Sequence, residues 1–213
     1  MRDKILSLGT ILLETVTAGN LLSLIDSQRK RGEKVRVHPN GFLQLSLSPD
    51  AGWRDQGLRL HVWTDELVPQ KDPSYQIHDH IFDIESYVLC GTLVNTLYYV
   101  EENVSGDHVL IEAGVEELKD TQKRVFCRLK EVQTVHEGER YSISGHEFHT
   151  SHASTPFTAT LMAKSNVENF RKPHVLFLAD YDAKAMILTR SIDQELGWRM
   201  IKCAEEEILK RYG

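Results

Sequence analysis

Hydrophobic residues recur at the spacing of one helix face at both ends of the chain. One set lies within residues 1–33 and has a soft break at Thr17-Ala18-Gly19. The other lies within residues 190–213, where Ser191 and Gln194 have the spacing of a capping box. The pattern predicts a helical N-terminal extension and a C-terminal helix, packed on the outside of the remaining fold or on a partner subunit. The apolar positions are Ile5, Leu8, Leu12, Leu21, Leu24 and Ile25 in the first set and Leu196, Met200, Ala204 and Ile208 in the second.

Between residues 34 and 181 the pattern changes to short runs of apolar, β-branched and aromatic residues, separated by turn signals such as Ser105-Gly106-Asp107. Many short strands in one compact region favour a sandwich or a closed barrel, because closure removes exposed sheet edges. Since no repeat or low-complexity linker divides the chain, we predict a single domain over residues 1–213, with an all-β core between the two helical ends. The strand-like runs are 41–47, 58–63, 87–100, 123–132, 141–144, 159–163 and 175–178.

Length, charge and cysteine content narrow the classes of function. A chain of 213 residues can form one sizeable core and is short for two domains. The formal net charge of −6 disfavours a nucleic-acid or anionic-membrane partner, both of which select basic surfaces. Cys90, Cys127 and Cys203 lie far apart and form no disulfide framework. No apolar run approaches the roughly 20 residues of a membrane span. We therefore expect a soluble, cytoplasmic protein.

Two groups of histidines carry the candidate chemistry. His78 and His80 are separated by one residue, so on a strand their side chains project from the same face. Two imidazoles placed in this way can occupy neighbouring positions on a metal ion, and imidazole suits zinc, copper, iron and nickel. His146, His149 and His152 form the second group and can supply a third ligand from a distant strand. Three such ligands leave positions open for a substrate.

Two segments resemble the two motifs of the cupin family. Residues 78–91 (HDHIFDIESYVLCG) are similar to the first, a histidine pair followed by an acidic residue and a strand that ends in glycine. Residues 138–149 (GERYSISGHEFH) are similar to the second, which ends in a histidine; Ser144 stands where that motif usually has proline. The resemblance implies a double-stranded β-helix, or jelly roll, with one divalent metal ion on His78, His80 and His149.

The acidic ligand of the first motif is out of register in this chain. Counting back from Gly91, the family's glutamate falls at Ile84, and Glu85 is one position away. In an unbroken strand a shift of one residue turns a side chain to the opposite face, whereas a bulge would turn Glu85 inward. The site is therefore three histidines or three histidines plus Glu85, and we favour three histidines alone.

A cupin site of three histidines is similar to that of thiol dioxygenases such as cysteine dioxygenase. That resemblance implies ferrous iron and the insertion of both atoms of O2 into a substrate thiol. It also implies a cation for the substrate carboxylate, and Arg59 is the candidate because guanidinium binds carboxylate through two parallel hydrogen bonds. A tyrosine near the metal is expected too, with Tyr98 or Tyr99 as candidates.

The preferred hypothesis is a metal-dependent cupin enzyme, a non-haem iron dioxygenase acting on a small thiol or a similar polar metabolite with O2. Fe(II) is favoured, while zinc, manganese or nickel stay open. One alternative is a zinc or manganese cupin with isomerase, lyase or biosynthetic tailoring activity, and another is a non-catalytic cupin that binds a small molecule. The resemblance to a family whose members often form dimers, together with the amphipathic helices at both ends of the chain, predicts a homodimer.

Overall fold

The computed structural model describes residues 17–48, 57–70, 77–114, 118–168, 170–180 and 192–212. Within these residues two helices flank a set of strands, as the sequence predicts. The helices are α1 (Ala18–Arg31) and α2 (Gln194–Tyr212), and Asp65–Gln70 forms a 3-10 helix. The strands are β1 (Arg36–His38), β2 (Phe42–Ser46), β3 (Leu58–Thr64), β4 (Asp83–Cys90), β5 (Thr92–Glu102), β6 (His108–Ala113), β7 (Leu118–His136), β8 (Arg140–Ile143), β9 (Phe148–Ala153), β10 (Phe157–Ser165) and β11 (His174–Leu178).

The strands form two sheets with the connectivity of a double-stranded β-helix. One sheet has the order β1-β2-β3-β10-β4-β8 and the other the order β11-β6-β7-β5-β9. Residues 77–80 lie between β9 and β11 and bridge them through His78, which pairs with His149 on one side and Val175 on the other. From β3 onwards the chain passes repeatedly from one sheet to the other. This strand order confirms the predicted all-β core with a double-stranded β-helix, or jelly-roll, topology.

Side chains alternate between the two faces of the first sheet, and the helices cover its outer face. Leu58, Leu60 and Val62 of β3 point outward and are fully buried against the helices. Burial of each large apolar side chain contributes roughly 1.5–3 kcal/mol, so this face supplies a large part of the stability. The prediction that the end helices pack on the outside of the barrel is confirmed for residues 18–31 and 194–212. The helix residues in this core include Leu21, Ile25, Ile201, Ala204 and Ile208.

The helix ends are capped by residues that partly differ from the predicted ones. Thr17, at the predicted break, is the N-cap of α1, and Gly32 ends that helix at a φ of 73°. At α2 the predicted capping box is wrong for Gln194, because its side chain accepts a hydrogen bond from the backbone N–H of Val35 at 3.0 Å. Asp193 instead accepts from the N–H of Leu196 at 2.9 Å. Ser191 and the predicted helix positions before residue 17 lie outside the described residues.

Strand positions were predicted well where the hydrophobic pattern is strong. The single predicted run 87–100 is split into β4 and β5 by Gly91, which has a φ of 79° and makes the turn between the two sheets. Strand β7 is longer than the predicted run 123–132. Strands β1, β6 and β9 were not predicted, because their side chains are largely polar or half-buried. No helix in the described ranges is long and apolar enough to cross a membrane.

Candidate metal site

The three histidines predicted as ligands lie together at one end of the barrel. His78 and His80 come from the segment that bridges the second sheet, and His149 comes from β9. One ring nitrogen from each can be chosen so that all three lie within 4.8 Å of one another. Nitrogens bound at about 2.1 Å to one ion lie roughly 3–4 Å apart, so small side-chain adjustments close this group around a metal. The donor set therefore fits one divalent ion.

The backbone fixes this arrangement. His78 and His149 exchange two backbone hydrogen bonds, of 3.1 Å and 2.9 Å, so they form a directly opposed pair on neighbouring strands. Asp79, between the two histidines, points to the other face, where it is 2% exposed. There its carboxylate accepts hydrogen bonds from the backbone N–H and from Nδ1 of His174, the latter at 3.1 Å. The pattern of alternating faces thus places both ligand side chains inward and anchors the residue between them.

Burial keeps the imidazoles of His80 and His149 neutral. Desolvation lowers the pKa of His149 to about 4, and desolvation together with the neighbouring histidines holds the pKa of His80 well below its ordinary value. Nδ1 of His149 lies 3.0 Å from the carbonyl oxygen of Glu147 and donates its proton there, which presents Nε2 to the group. At neutral pH the ring nitrogens are therefore available as ligands.

Glu85 is not brought into this group. It lies on β4 opposite Ser142 and Ala163, whereas Ile84 points to the interior and packs in an apolar cluster. The described bulge between β4 and β10 lies near Leu89, beyond Glu85, so it does not turn this side chain inward. The interior position that carries a carboxylate in the family motif is thus apolar here. The remaining members of that cluster are Leu97, Ile143 and Met162, with Phe82 and Tyr141 packed against it.

Arg59 lies on the inner face of the first sheet. It pairs across the sheet with Met162, which belongs to the same apolar cluster as Leu97, the cross-strand partner of His149. Burial lowers the pKa of its guanidinium to about 10, with a smaller contribution from Arg36. The charge of Arg59 in turn helps to lower the pKa values of His38 and His80, so it acts on the histidine group. Within the described ranges no carboxylate forms an ion pair with Arg59.

The tyrosines predicted near the metal lie elsewhere. Tyr98 pairs with Phe148, so both point away from the face that carries Leu97 and His149. Tyr99 is 62% exposed and lies beside Lys130. Among the described tyrosines, Tyr141 lies inside the barrel; burial raises its pKa to about 12, and the neighbouring hydroxyls of Ser86 and Thr160 partly offset this rise. The sequence placed Tyr141 on a strand but gave no sign that its hydroxyl faces the interior.

The hairpin of β1 and β2 places aromatic rings beside the histidine group, and the sequence did not predict this. His38 stacks on Phe42 with ring centroids 4.4 Å apart, and its centroid lies 6.0 Å from that of His78. Phe42 also contacts His61, which lies 3.2 Å from the amide nitrogen of Gln44. His38 and His61 have no metal-ligand spacing in the sequence, and only the pairing of β1, β2 and β3 brings them together.

The two other histidines of the second group stay outside the ligand set. His146 has a positive φ of 66° in the turn before β9, and its Nε2 lies 2.9 Å from a carboxylate oxygen of Glu168. His152 is exposed on β9, and its side chain projects from the same face as that of Phe148. The histidines that the structure brings together are therefore the same three that the cupin resemblance implies.

No protein-family model matches the sequence, and no curated protein matches it. Solved structures with a similar course include the cupin domain of Drosophila melanogaster CENP-C, at 9% identity, a TM-score of 0.34, and coverage of 62% of this chain and 76% of that one. The Streptomyces nucleoside dehydratase Pac13 aligns at 11% identity and a TM-score of 0.37, over 70% of this chain and 89% of that one. The iron(II) form of HppE aligns at 9% identity and a TM-score of 0.32, over 58% and 49%. Such distant likeness carries no argument about function, and the fold rests on the strand order of this chain.

Proposed function

We propose that this protein is a metal-dependent dioxygenase of the thiol dioxygenase type, which oxidises a small thiol that carries a carboxylate. One observation carries the proposal: a group of three histidines, in which His80 and His149 are kept neutral by burial, shares the barrel interior with the cation of Arg59, and no carboxylate among the described residues joins the group. Ferrous iron, held by His78, His80 and His149, would supply the redox chemistry that oxygen activation requires.

The ligand set supports an anionic substrate. Three imidazoles donate no negative charge, so the site favours anionic ligands such as a thiolate more than a site with a carboxylate ligand does. Arg59 suits a carboxylate on the same molecule, because its planar guanidinium donates two parallel hydrogen bonds. A substrate held at both ends has one orientation, which lowers the entropic part of the barrier.

The apolar cluster contributes by excluding water. Ile84 stands where the family motif carries an acid, and with Leu97 and Met162 it forms an apolar floor of the site, in which Leu97 pairs with His149 across β5 and β9. A dry floor strengthens the attraction between the Arg59 guanidinium and a substrate carboxylate.

Elemental analysis of the purified protein, prepared without a metal-chelating tag, tests the metal site. We expect close to one equivalent of iron in the wild type and its loss in His149→Ala. His152→Ala is the matched control, because His152 lies on the same strand but projects from the opposite face. Metal retained in full by His149→Ala would overturn the site.

Oxygen uptake then tests the reaction. With iron bound, we expect uptake in the presence of small thiols that carry a carboxylate, such as 3-mercaptopropionate, and none with the corresponding alcohols. Zinc in place of iron, without oxygen uptake after iron reconstitution, would keep the site and move the function to isomerase, lyase or tailoring chemistry. Absence of any bound metal after reconstitution would leave a cupin that binds a small molecule without catalysis.

A further inference from the structure

The turn between β1 and β2 places a buried asparagine against one of the three histidines. Asn40 is 5% exposed, and its side-chain nitrogen Nδ2 lies 3.4 Å from Nδ1 of His78, while its buried Oδ1 has no hydrogen-bond partner in the described part of the chain. Its backbone is held as well, because the N–H of Asn40 donates to Nδ1 of His38 at 3.2 Å and the N–H of Gly41 donates to the carbonyl of His38 at 2.8 Å. Gly41, with a φ of 78°, completes the turn. The amide is thereby fixed at the edge of the ligand group.

This contact decides which nitrogen of His78 faces a metal. With the amide against Nδ1, the nitrogen that His78 offers to an ion is Nε2. A neutral imidazole that binds metal through Nε2 carries its proton on Nδ1 and needs an acceptor there. The single acceptor of an asparagine side chain is Oδ1, and the two ends of the amide have nearly the same shape. When His78 binds a metal through Nε2, the amide of Asn40 must therefore be turned over from the orientation in the structure, so that Oδ1 replaces Nδ2 beside His78.

His149 shows the same arrangement with a backbone acceptor. Its Nδ1 donates to the carbonyl oxygen of Glu147 at 3.0 Å and so presents Nε2. Two of the three ligands thus have a partner on the nitrogen that faces away from the metal, and the two partners lie in different turns, Asn40 between β1 and β2 and Glu147 between β8 and β9.

We propose that Asn40 is a positioning residue of the metal site: its Oδ1 accepts the Nδ1 proton of His78, which fixes the metal-binding tautomer and the orientation of that ring. This inference rests on the proposed metal site and is independent of the reaction catalysed there. If Asn40 served only the turn, removing its side-chain acceptor would change stability and leave metal affinity as it was.

Metal affinity separates these two roles. We would measure the Kd for Zn²⁺ of the full chain against a chromophoric chelator, for the wild type, Asn40→Leu and Asn40→Asp. Loss of the acceptor in Asn40→Leu should weaken binding by about 10- to 100-fold, the usual effect of removing such a partner. Asn40→Asp should bind at least as tightly as the wild type, because a carboxylate is an acceptor only. Gln44→Leu is the control: it removes another amide from the same hairpin, one that contacts His61 and no ligand.

The outcomes are distinct. Unchanged affinity in Asn40→Leu, or a loss in Asn40→Asp as large as in Asn40→Leu, would overturn the role of Asn40 while the metal site stands. A wild type that binds no Zn²⁺ would remove the site and this inference together. Should Asn40→Leu fail to fold, nitrogen NMR of the zinc-loaded wild type decides: we expect a proton on Nδ1 of His78, and metal on Nδ1 would refute the inference.

Discussion

At the scale of single residues, the interior of the barrel is unusual in its charge. His61, His80 and His149 are kept neutral by burial, and Arg59 is a cation without a carboxylate partner in the described part of the chain. Burial of an unpaired charge lowers the stability of a protein, and proteins keep such destabilising groups where their function requires them. Under the proposed function, a substrate carboxylate would be the partner of Arg59.

Replacing Arg59 should separate stability from binding. In Arg59→Met we expect the free energy of unfolding to rise by about 1 kcal/mol or more, because an apolar side chain of similar length replaces a desolvated charge. We also expect affinity for a thiol carboxylate to fall by about 100-fold, the loss of a charged two-point contact of roughly 3 kcal/mol. Chemical unfolding and calorimetric titration of the metal-loaded protein measure the two effects. Lower stability with unchanged affinity would assign Arg59 a structural role.

Four buried histidines, His38, His61, His80 and His149, make the stability of the metal-free protein depend on pH. Each has a lower pKa in the folded chain than its ordinary value near 6.5, so between the two pKa values the unfolded chain binds more protons. Their contribution is complete above about pH 6.5 and is lost as the pH falls, until about 4 for His149 and about 3 for His61. We expect urea unfolding to show a loss of up to about 1.4 kcal/mol per pH unit for each such histidine.

The variant His61→Phe should lack the contribution that protonation of His61 makes to the pH dependence of stability. The slope of stability between pH 6 and pH 5 should decrease by about 1.4 kcal/mol per pH unit in this variant. Leu60→Ala, on the same strand, is the control, since it lowers stability equally at every pH. An unchanged slope in His61→Phe would mean that His61 is protonated in the folded protein.

At the scale of elements, two glycines of the cupin-like motifs have different physical roles. Gly91 turns the chain from β4 into β5 at a φ of 79°, and a Cβ there would lie 2.6 Å from Oγ1 of Thr158 and against the backbone of Phe157. Gly138 has a φ of 84° in the turn before β8, with nothing within 4 Å of an added Cβ. The first motif thus ends in glycine for lack of space as well as for backbone conformation.

The two glycines make a matched pair of alanine variants. Gly138→Ala should cost about 1 kcal/mol of stability, from the left-handed conformation alone. Gly91→Ala should cost about 3 kcal/mol or more, because a steric clash is added to the same strain. Thermal and chemical unfolding measure both. Equal costs would show that the chain around Gly91 moves aside without penalty.

At the scale of the whole molecule, the two faces of the first sheet have separate tasks. The outer face is a hydrophobic core covered by α1 and α2, and the inner face carries Arg59, His61 and the apolar floor of the site. The helices therefore stabilise the barrel without contributing side chains to the histidine group. A homodimer and a cytoplasmic location stay predictions of the sequence.

A core variant beneath α2 tests this separation. Ile201→Ala removes a fully buried side chain and should lower the free energy of unfolding by about 2–4 kcal/mol. The Kd for metal should stay at the wild-type value, because the helix lies across the sheet from the histidines. Lys202→Ala, exposed on the same helix, should change neither quantity. A weaker metal affinity in Ile201→Ala would show that the outer core and the site are coupled.

Much of the fold follows from local patterns. The helical periodicity at the ends and the strand-like runs between them predicted α1, α2 and most of the central strands, because hydrophobic spacing reports which face of an element is buried. Strand β9 carries His149 but was not predicted, because its side chains are mostly polar and half-buried. Its place became clear only from its pairing with β5.

The sequence by itself determined the all-β core with helical ends and the three histidines, since i, i+2 spacing on a strand and two ordered motifs are local properties. Only the tertiary structure decided which other groups face those histidines. A strand position defines two faces but not which one is interior, so the inward Ile84, the outward Tyr98 and the choice of Tyr141 required the register of the sheets. Likewise Asn40 and His38 reach the site through the pairing of β1, β2 and β3, because contacts between residues far apart in the chain leave no spacing that a sequence can show.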